Sequence, residues 1–150
     1  MIGNRVSQLL SELQEVLKAL DPEALGGPES LALFADFHRI ERLGAAGKAL
    51  CARQVAASRA WFSTGHRSPC HLMADATGTS VRHAVDLLEA AEAMRSLPAT
   101  EGKFRAGSLT ERQAIEVTSA AVADRTSEAE LLELAALESF LELQRAAARV

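Results

Sequence analysis

Residues 65–94 read GHRSPCHLMADATGTSVRHAVDLLEAAEAM, and they contain two helix patterns joined by a break too short for anything but a tight turn. Ser68 and Pro69 predict a helix start, because a serine hydroxyl can cap free backbone N–H groups and proline lacks the N–H that the first helical position leaves unpaired. Gly78 predicts the end of that helix. The stretch therefore predicts a helix-turn-helix-like hairpin.

The second half of this stretch has the apolar period of an amphipathic helix. Thr79 and Ser80 are candidate N-caps, and a buried stripe at helical spacing follows them: Val81, Ala84, Val85, Leu88 and Ala91. The residues that we expect to be largely buried around the hairpin are Leu50, Met73, Ala74, Ala84, Leu87, Leu88 and Ile115.

Two interpretations of the hairpin stay open. In a DNA-reading motif, Arg82 and His83 on the first turn of the second helix would face a phosphate or a base edge. The rest of that helix would be repelled by phosphate, because it carries Asp86, Glu89 and Glu92. The alternative is a plain helical hairpin of the core.

The composition favours helices along the whole chain. Alanine, leucine and glutamate dominate, aromatic residues make up 4%, and no run alternates β-branched with polar residues. We predict an all-α fold in a single helical domain, residues 1–150, with about six to seven helices, a long spine helix and the hairpin at its centre. No apolar run approaches a membrane span and Met1 starts no signal-peptide pattern, so we expect a soluble cytoplasmic protein without a membrane partner.

Two helices are predicted before the hairpin. The first has apolar residues every three or four positions and is ended by Asp21-Pro22. The second runs from about Glu29 to Trp61 or Phe62, and we expect a close helix approach or a bend at Gly44 and Gly47. Its length makes it a candidate for homodimer formation. Its predicted apolar face consists of Leu33, Phe37, Ile40, Leu43, Leu50, Val55 and Phe62.

Further helices are predicted after the hairpin. The Leu97-Pro98 break starts a short helix that ends at Gly107, and residues 108–111 and 127–130 read as capping boxes that open two more. A last helix would begin near Glu138 and run past the end of the chain, so we expect a fragment of a longer protein. The residues predicted to face inward in these helices are Leu109, Ala114, Ile115, Val117, Thr118, Val122, Phe140, Leu141, Leu143, Ala147 and Val150.

Charge and cysteine content restrict the function classes. The net charge is −4 for residues 1–36, +5 for residues 37–83 and −5 for residues 84–150, which suits either a nucleic-acid-facing centre or an ordinary solvated surface. Cys70 and its neighbouring histidines lack the spacing of a zinc site, and two cysteines are too few for a disulfide framework. We expect no metal and no cofactor.

The order of these signals resembles a known family. The pieces are Gly65-x-Arg67-Ser68, Leu72-x-Ala74, Thr77-Gly78-x-Ser80, Ala84, Leu88, Ala91, Leu97-Pro98, Gly107-Ser-Leu109 and Gln113-Ala114-x-Glu116. Together they are similar to the bacterial domain of unknown function 222, the thirteen-E-twelve repeat family, over about Leu31 to Val150, although His71 stands where that family usually has tryptophan. Residues 72–114 are also similar to the DNA-binding middle of ParB-type partition proteins.

The resemblance implies a domain that precedes an HNH endonuclease module and engages DNA. The chain itself carries no ββα metal-binding pattern, so we expect it to be no enzyme, and the nuclease module would lie beyond Val150. We therefore predict a DNA-engaging or targeting domain that binds double-stranded DNA; the alternative is a protein-interaction or dimerisation module. The predicted DNA-binding residues are Arg53, Arg59, Arg67, Ser80, Arg82 and His83.

Overall fold

The structure is a computed structural model that describes the backbone of residues 1–148 and the side chains of residues 1–138. This part of the chain forms seven α-helices and no strand, which confirms the all-α prediction. The helices are α1 (Ile2–Ala19), α2 (Gly27–Ala57), α3 (Pro69–Thr77), α4 (Val81–Ala93), α5 (Pro98–Arg105), α6 (Glu111–Ala123) and α7 (Glu128–Ala148). Within it no helix is both long enough and apolar enough to cross a bilayer.

The chain divides into two compact units, Met1–Phe37 and His38–Val150. The second unit has a core in which Met94, Leu97 and Phe104 are almost completely buried. Leu97 also occupies the N-cap position of α5, without a side-chain capping bond, and Pro98 takes the first helical position as predicted. Met94 and Phe104 belong to a core cluster whose other buried members are mostly small: Ala46, Ala49, Leu87, Ala91, Leu109, Ala114, Val117 and Ala135.

Polar side chains in the second unit bridge helices that are distant in sequence. The backbone N–H and the hydroxyl of buried Thr100 both donate to Glu128 Oε1, at 2.7 and 2.9 Å, which joins the first turns of α5 and α7. Gln113 Nε2 donates to the carbonyl oxygen of Ala135 at 3.2 Å. Buried polar groups of α5 and α6 are thus satisfied by α7, as burial away from water requires.

The first unit has no comparable core. α1 contains no buried residue, although its apolar residues recur at the spacing of an amphipathic helix. Five of them expose half or more of their surface: Val6, Leu9, Leu10, Val16 and Leu17. In the part of α2 that belongs to this unit, Leu31 and Phe34 are exposed as well.

The long helix differs from its prediction in its end and in its buried face. α2 ends at Ala57, because the Ser58 hydroxyl donates to the Val55 carbonyl and accepts from the Ala60 N–H, and a 3₁₀ segment (Ala60–Thr64) follows. The side that packs carries alanines instead of the predicted large residues, since small side chains allow close packing: Ala46, Ala49 and Ala52.

The expectation of a close approach at Gly44 and Gly47 was wrong within the described chain. A Cβ atom added at either position would have no contact within 4 Å. A close approach occurs instead at Gly107, where φ is 74° and left-handed and an added Cβ would lie 3.1 Å from the Leu43 side chain.

The buried stripe of α4 is rotated from the predicted one. Ala84, Leu87 and Ala91 are buried, whereas Val81 is exposed and Leu88 is only half-buried. The wider core prediction was also only partly correct. Ala74 is buried as predicted, but three residues of that prediction are only half-buried: Leu50, Met73 and Ile115.

The predicted helix starts in the C-terminal half need correction. Thr110 and Gln113 form the capping box of α6, because the Ser108 N–H is already bonded to the Lys103 carbonyl in the turn that ends α5. Asp124 caps a 3₁₀ turn before α7, and α7 then continues through the predicted break near Glu138.

Of the residues predicted to face inward here, Leu109, Ala114, Val117 and Thr118 are buried, while Val122 is exposed. The predictions for Phe140, Leu141, Leu143, Ala147 and Val150 lie outside the described side chains.

Candidate nucleic-acid interface

The predicted hairpin forms at α3 and α4. Ser68 caps α3 by accepting from the His71 N–H at 3.2 Å, with Pro69 in the first turn. Gly78 ends α3 with a left-handed φ of 69°, and the Ser80 hydroxyl caps α4 by accepting from the N–H of residue 83 at 3.1 Å. Each of these contacts spans only a few residues, which explains why the sequence could predict them.

The two helices pack through small side chains on either side of the turn. Ala74 on α3 and Ala84 on α4 are both buried. The turn itself uses two threonines, since Thr77 Oγ1 donates to the Met73 carbonyl at 2.7 Å and lies 2.8 Å from Thr79 Oγ1. Threonine is therefore suited to this turn, where a DNA-reading motif would have apolar residues.

Arg82 and Arg67 are the exposed cations of the hairpin. The Arg82 side chain is 82% exposed, and its Nε lies 3.3 Å from Asp86 Oδ1 one turn further along α4. Arg67 is exposed beside the start of α3. It has no hydrogen bond or ion pair with any other described side chain, so its guanidinium is available to an anion.

His83 and Ser80 are engaged within the protein. A ring nitrogen of His83 forms a short contact with the Glu111 carboxylate at the start of α6, and the other oxygen of that carboxylate lies 3.6 Å from Lys48 Nζ. The Ser80 hydroxyl is occupied as the cap of α4. A DNA contact through the bonded ring nitrogen of His83 would break that internal bond, whereas the Ser80 hydroxyl accepts one hydrogen bond in its capping role and still has a proton to donate.

Arg53 and Arg59 do not join the hairpin cations. Arg53 Nη1 donates to the Ala91 carbonyl at 2.9 Å and to Glu101 Oε1 at 3.0 Å. Burial is the largest single influence on the Glu101 pKa, and it raises that pKa. The hydrogen bonds and charges of Arg53 and Arg105 together lower it by more, so the net shift of the Glu101 pKa is downward. Arg59 is exposed, with its guanidinium 5.8 Å from the centre of the Phe62 ring.

A second group of charges, which the sequence patterns did not indicate, lines a pocket of about 400 Å³ between α2 and the start of α6. Arg42 lies there with its Nε buried and without a hydrogen-bond partner among the described residues. The other cations are matched by carboxylates, Lys48 by Glu111 and Arg112 by Glu138 at 3.2 Å. The pocket therefore does not extend the positive surface of the hairpin.

The cysteines and histidines do not assemble. Cys51 is exposed, and burial, followed by the charge of Glu89, raises the pKa of the Cys70 thiol. His66 bonds to Asp75 at 2.8 Å, a link that spans the length of α3. Within the described residues no three histidine, cysteine or acidic side chains are close enough to hold a metal ion.

Comparison with known proteins does not extend this description. No family profile matches the chain, and neither curated proteins nor solved structures provide a match.

Proposed function

We propose that this domain engages duplex DNA through the α3–α4 hairpin. The observation that carries the proposal is the exposed Arg82 on the first turn of α4, directly after the Ser80 cap and the left-handed Gly78. In helix-turn-helix proteins this turn lies at the mouth of the major groove. Arg67, which is exposed and has no ion pair with a described residue, supplies a second cation at the start of the hairpin.

The contact surface is smaller than the six residues predicted from the sequence. Arg67 and Arg82 are the direct contacts, Arg59 adds nonspecific attraction, and Arg53, Ser80 and His83 maintain the fold. An exposed ion pair contributes only about 0–1 kcal/mol, so a phosphate can replace Asp86 as the partner of Arg82 at little cost.

The acidic residues of α4 limit affinity. Glu89 and Glu92 are exposed on the same helix and would be repelled by the phosphates that line a groove. We therefore propose weak, salt-sensitive binding, which suits an accessory domain that brings a separate catalytic module to DNA. The resemblance to the domain of unknown function 222 implies that this module is an HNH endonuclease.

The test measures the affinity of the chain for a short fluorescent duplex over a range of salt concentrations. The double change Arg67→Ala, Arg82→Ala should weaken binding by about 1 to 3 kcal/mol and reduce the slope of log affinity against log salt by up to about two units. The matched control is Lys103→Ala, Arg125→Ala, which removes the same charge from two exposed cations of α5 and the turn before α7.

An equal loss in both double variants would mean that DNA responds only to net charge, and the hairpin would not be the site. Absence of binding at about 20 mM salt, where exposed charges are screened least, would reject the proposal altogether.

The second candidate function is self-association, and the observation that favours it is the uncovered apolar face of α1. Val6, Leu9, Leu13 and Val16 alternate at spacings of three and four, the repeat by which two identical helices pair. Leu10 and Leu17 widen this stripe and are about half exposed. A second copy of the chain would cover it.

Sedimentation velocity distinguishes this candidate. The double change Leu9→Glu, Val16→Glu should convert a dimer to a monomer, because it places carboxylates in the apolar seam. Ser7→Glu, Ser11→Glu adds the same charges on the other side of α1 and should leave the dimer intact. A wild-type chain that is monomeric at all concentrations would exclude the candidate.

A further inference from the structure

A groove with a volume of about 750 Å³ lies between α4 and α6. Its apolar lining includes Leu88 of α4 and Ile115 and Val122 of α6. The sequence predicted that all three would lie on buried helix faces. Leu88 and Ile115 are only half-buried, and Val122 remains 60% exposed.

The groove follows α4 from its first turn into the 3₁₀ turn (Met94–Ser96) that comes after it. Residues 82, 86, 89 and 93 line it at the spacing of a single helix face, and residues 88, 90 and 92 widen the lining on either side. At about 1.5 Å per residue, the span from residue 82 to residue 96 is roughly 20 Å, the length of a partner helix of nearly four turns.

The charge of this lining is mainly negative. Asp86, Glu89 and Glu92 carry carboxylates, and Arg82 at one end carries the single positive charge among the lining residues. Glu89 forms no ion pair with any described residue. Glu92 is paired only with the exposed Arg95 of the following turn, at 3.3 Å.

We infer that the α4–α6 groove docks a basic amphipathic helix of a partner protein. Apolar side chains of that helix would cover Leu88, Ile115 and Val122, and its lysine or arginine residues would pair with Glu89 and Glu92. This is the helix-in-groove mode of recognition, in which apolar residues about one turn apart provide the affinity and the flanking charges select the partner. The inference is independent of DNA binding, because it uses the acidic turns of α4.

The probe for this groove is a designed fluorescent peptide with leucine on one helical face and lysine on its flanks. Fluorescence anisotropy should show saturable binding to the wild-type chain. Two reference peptides, one with glutamate in place of every lysine and one with the leucine and lysine residues in scrambled order, should bind at least about tenfold more weakly.

Two variants test whether the peptide binds in the groove. Val122→Glu should weaken binding about tenfold or more, because it introduces a carboxylate where a leucine would pack, and Glu89→Lys should weaken it through like-charge repulsion. The matched controls are Leu137→Glu and Glu130→Lys, which make the same changes at exposed positions of α7. Both controls should bind as the wild type does, and the duplex affinity of Val122→Glu should be no lower than that of Leu137→Glu.

Other outcomes would overturn the inference. Equal loss in Glu89→Lys and Glu130→Lys would mean general attraction to an acidic protein, and equal binding of the scrambled peptide would mean that no amphipathic helix is recognised. A wild-type dimer that Val122→Glu dissociates would identify a second copy as the occupant.

Discussion

The region around α5 and the helix α1 both carry large apolar side chains, but the burial of those side chains is opposite. In the first region, Met94, Leu97 and Phe104 are covered on all sides, and even the hydroxyl of Thr100 is bonded to Glu128. In the second, Leu9 is 63% exposed and no residue is buried. Periodicity thus identifies the apolar face of a helix, whereas stabilisation depends on the area that another element removes from water.

The largest expected effect compares one phenylalanine from each unit. Phe104 is 0% exposed and Phe34 is 73% exposed. Phe104→Ala should cost about 3 to 5 kcal/mol of unfolding free energy, from lost burial and the cavity left behind. Phe34→Ala should cost less than about 0.5 kcal/mol. Urea denaturation of both variants measures the difference, and comparable losses would show that Phe34 is covered in solution.

An intermediate effect is expected at the charge pair that joins α2 to α5. Arg53→Met keeps the apolar stem but removes the bonds to Glu101 and the Ala91 carbonyl, and it should cost about 1 to 3 kcal/mol at pH 7. The folded state lowers the Glu101 pKa, so this stabilisation is complete above the usual glutamate range. It should decline as the pH falls below about 4.

The control for Arg53 is Arg105→Met, which removes the other partner of the same carboxylate. Arg105 Nε lies 3.3 Å from Glu101 Oε2 and its side chain is more than half exposed, so the loss should stay below about 1 kcal/mol. Equal pH-dependent losses in the two variants would contradict the assigned importance of Arg53.

The smallest effect concerns the outer face of α2. Gly47→Ala should stabilise the chain by about 0.5 to 1 kcal/mol, because alanine favours the helix and the new methyl group meets no neighbour within 4 Å. If α2 pairs with a second copy at this glycine, the substitution would instead destabilise the dimer. Thermal unfolding at two protein concentrations separates these results.

The sequence predicted the hairpin better than the surface around it. Ser68, Gly78 and Ser80 act as expected, because a capping bond or a left-handed turn involves residues no more than about four apart. The start of α6 was assigned incorrectly, since Ser108 and Thr110 both resemble caps and only the turn at Gly107 determines which is used. The long helix was identified, but its buried side was not, because packing selected its alanines over its larger apolar residues.

In the candidate site, too, the sequence did not predict contacts between residues that are distant along the chain. Arg53 and Arg82 were both predicted to contact DNA; Arg82 is exposed, whereas Arg53 pairs with Glu101, 48 residues later. His83 bonds to Glu111, 28 residues later. No pattern within one helix indicates such a partner.

The sequence alone therefore determined that the chain is helical, where α3, α4 and α5 begin, and that α3 and α4 form a hairpin. These features depend on backbone preferences and on bonds within a single turn of helix. The tertiary structure decided which helix faces are buried, which cations remain free for a ligand, and that an acidic groove opens between α4 and α6. Those properties depend on surfaces that meet only after distant segments have packed together.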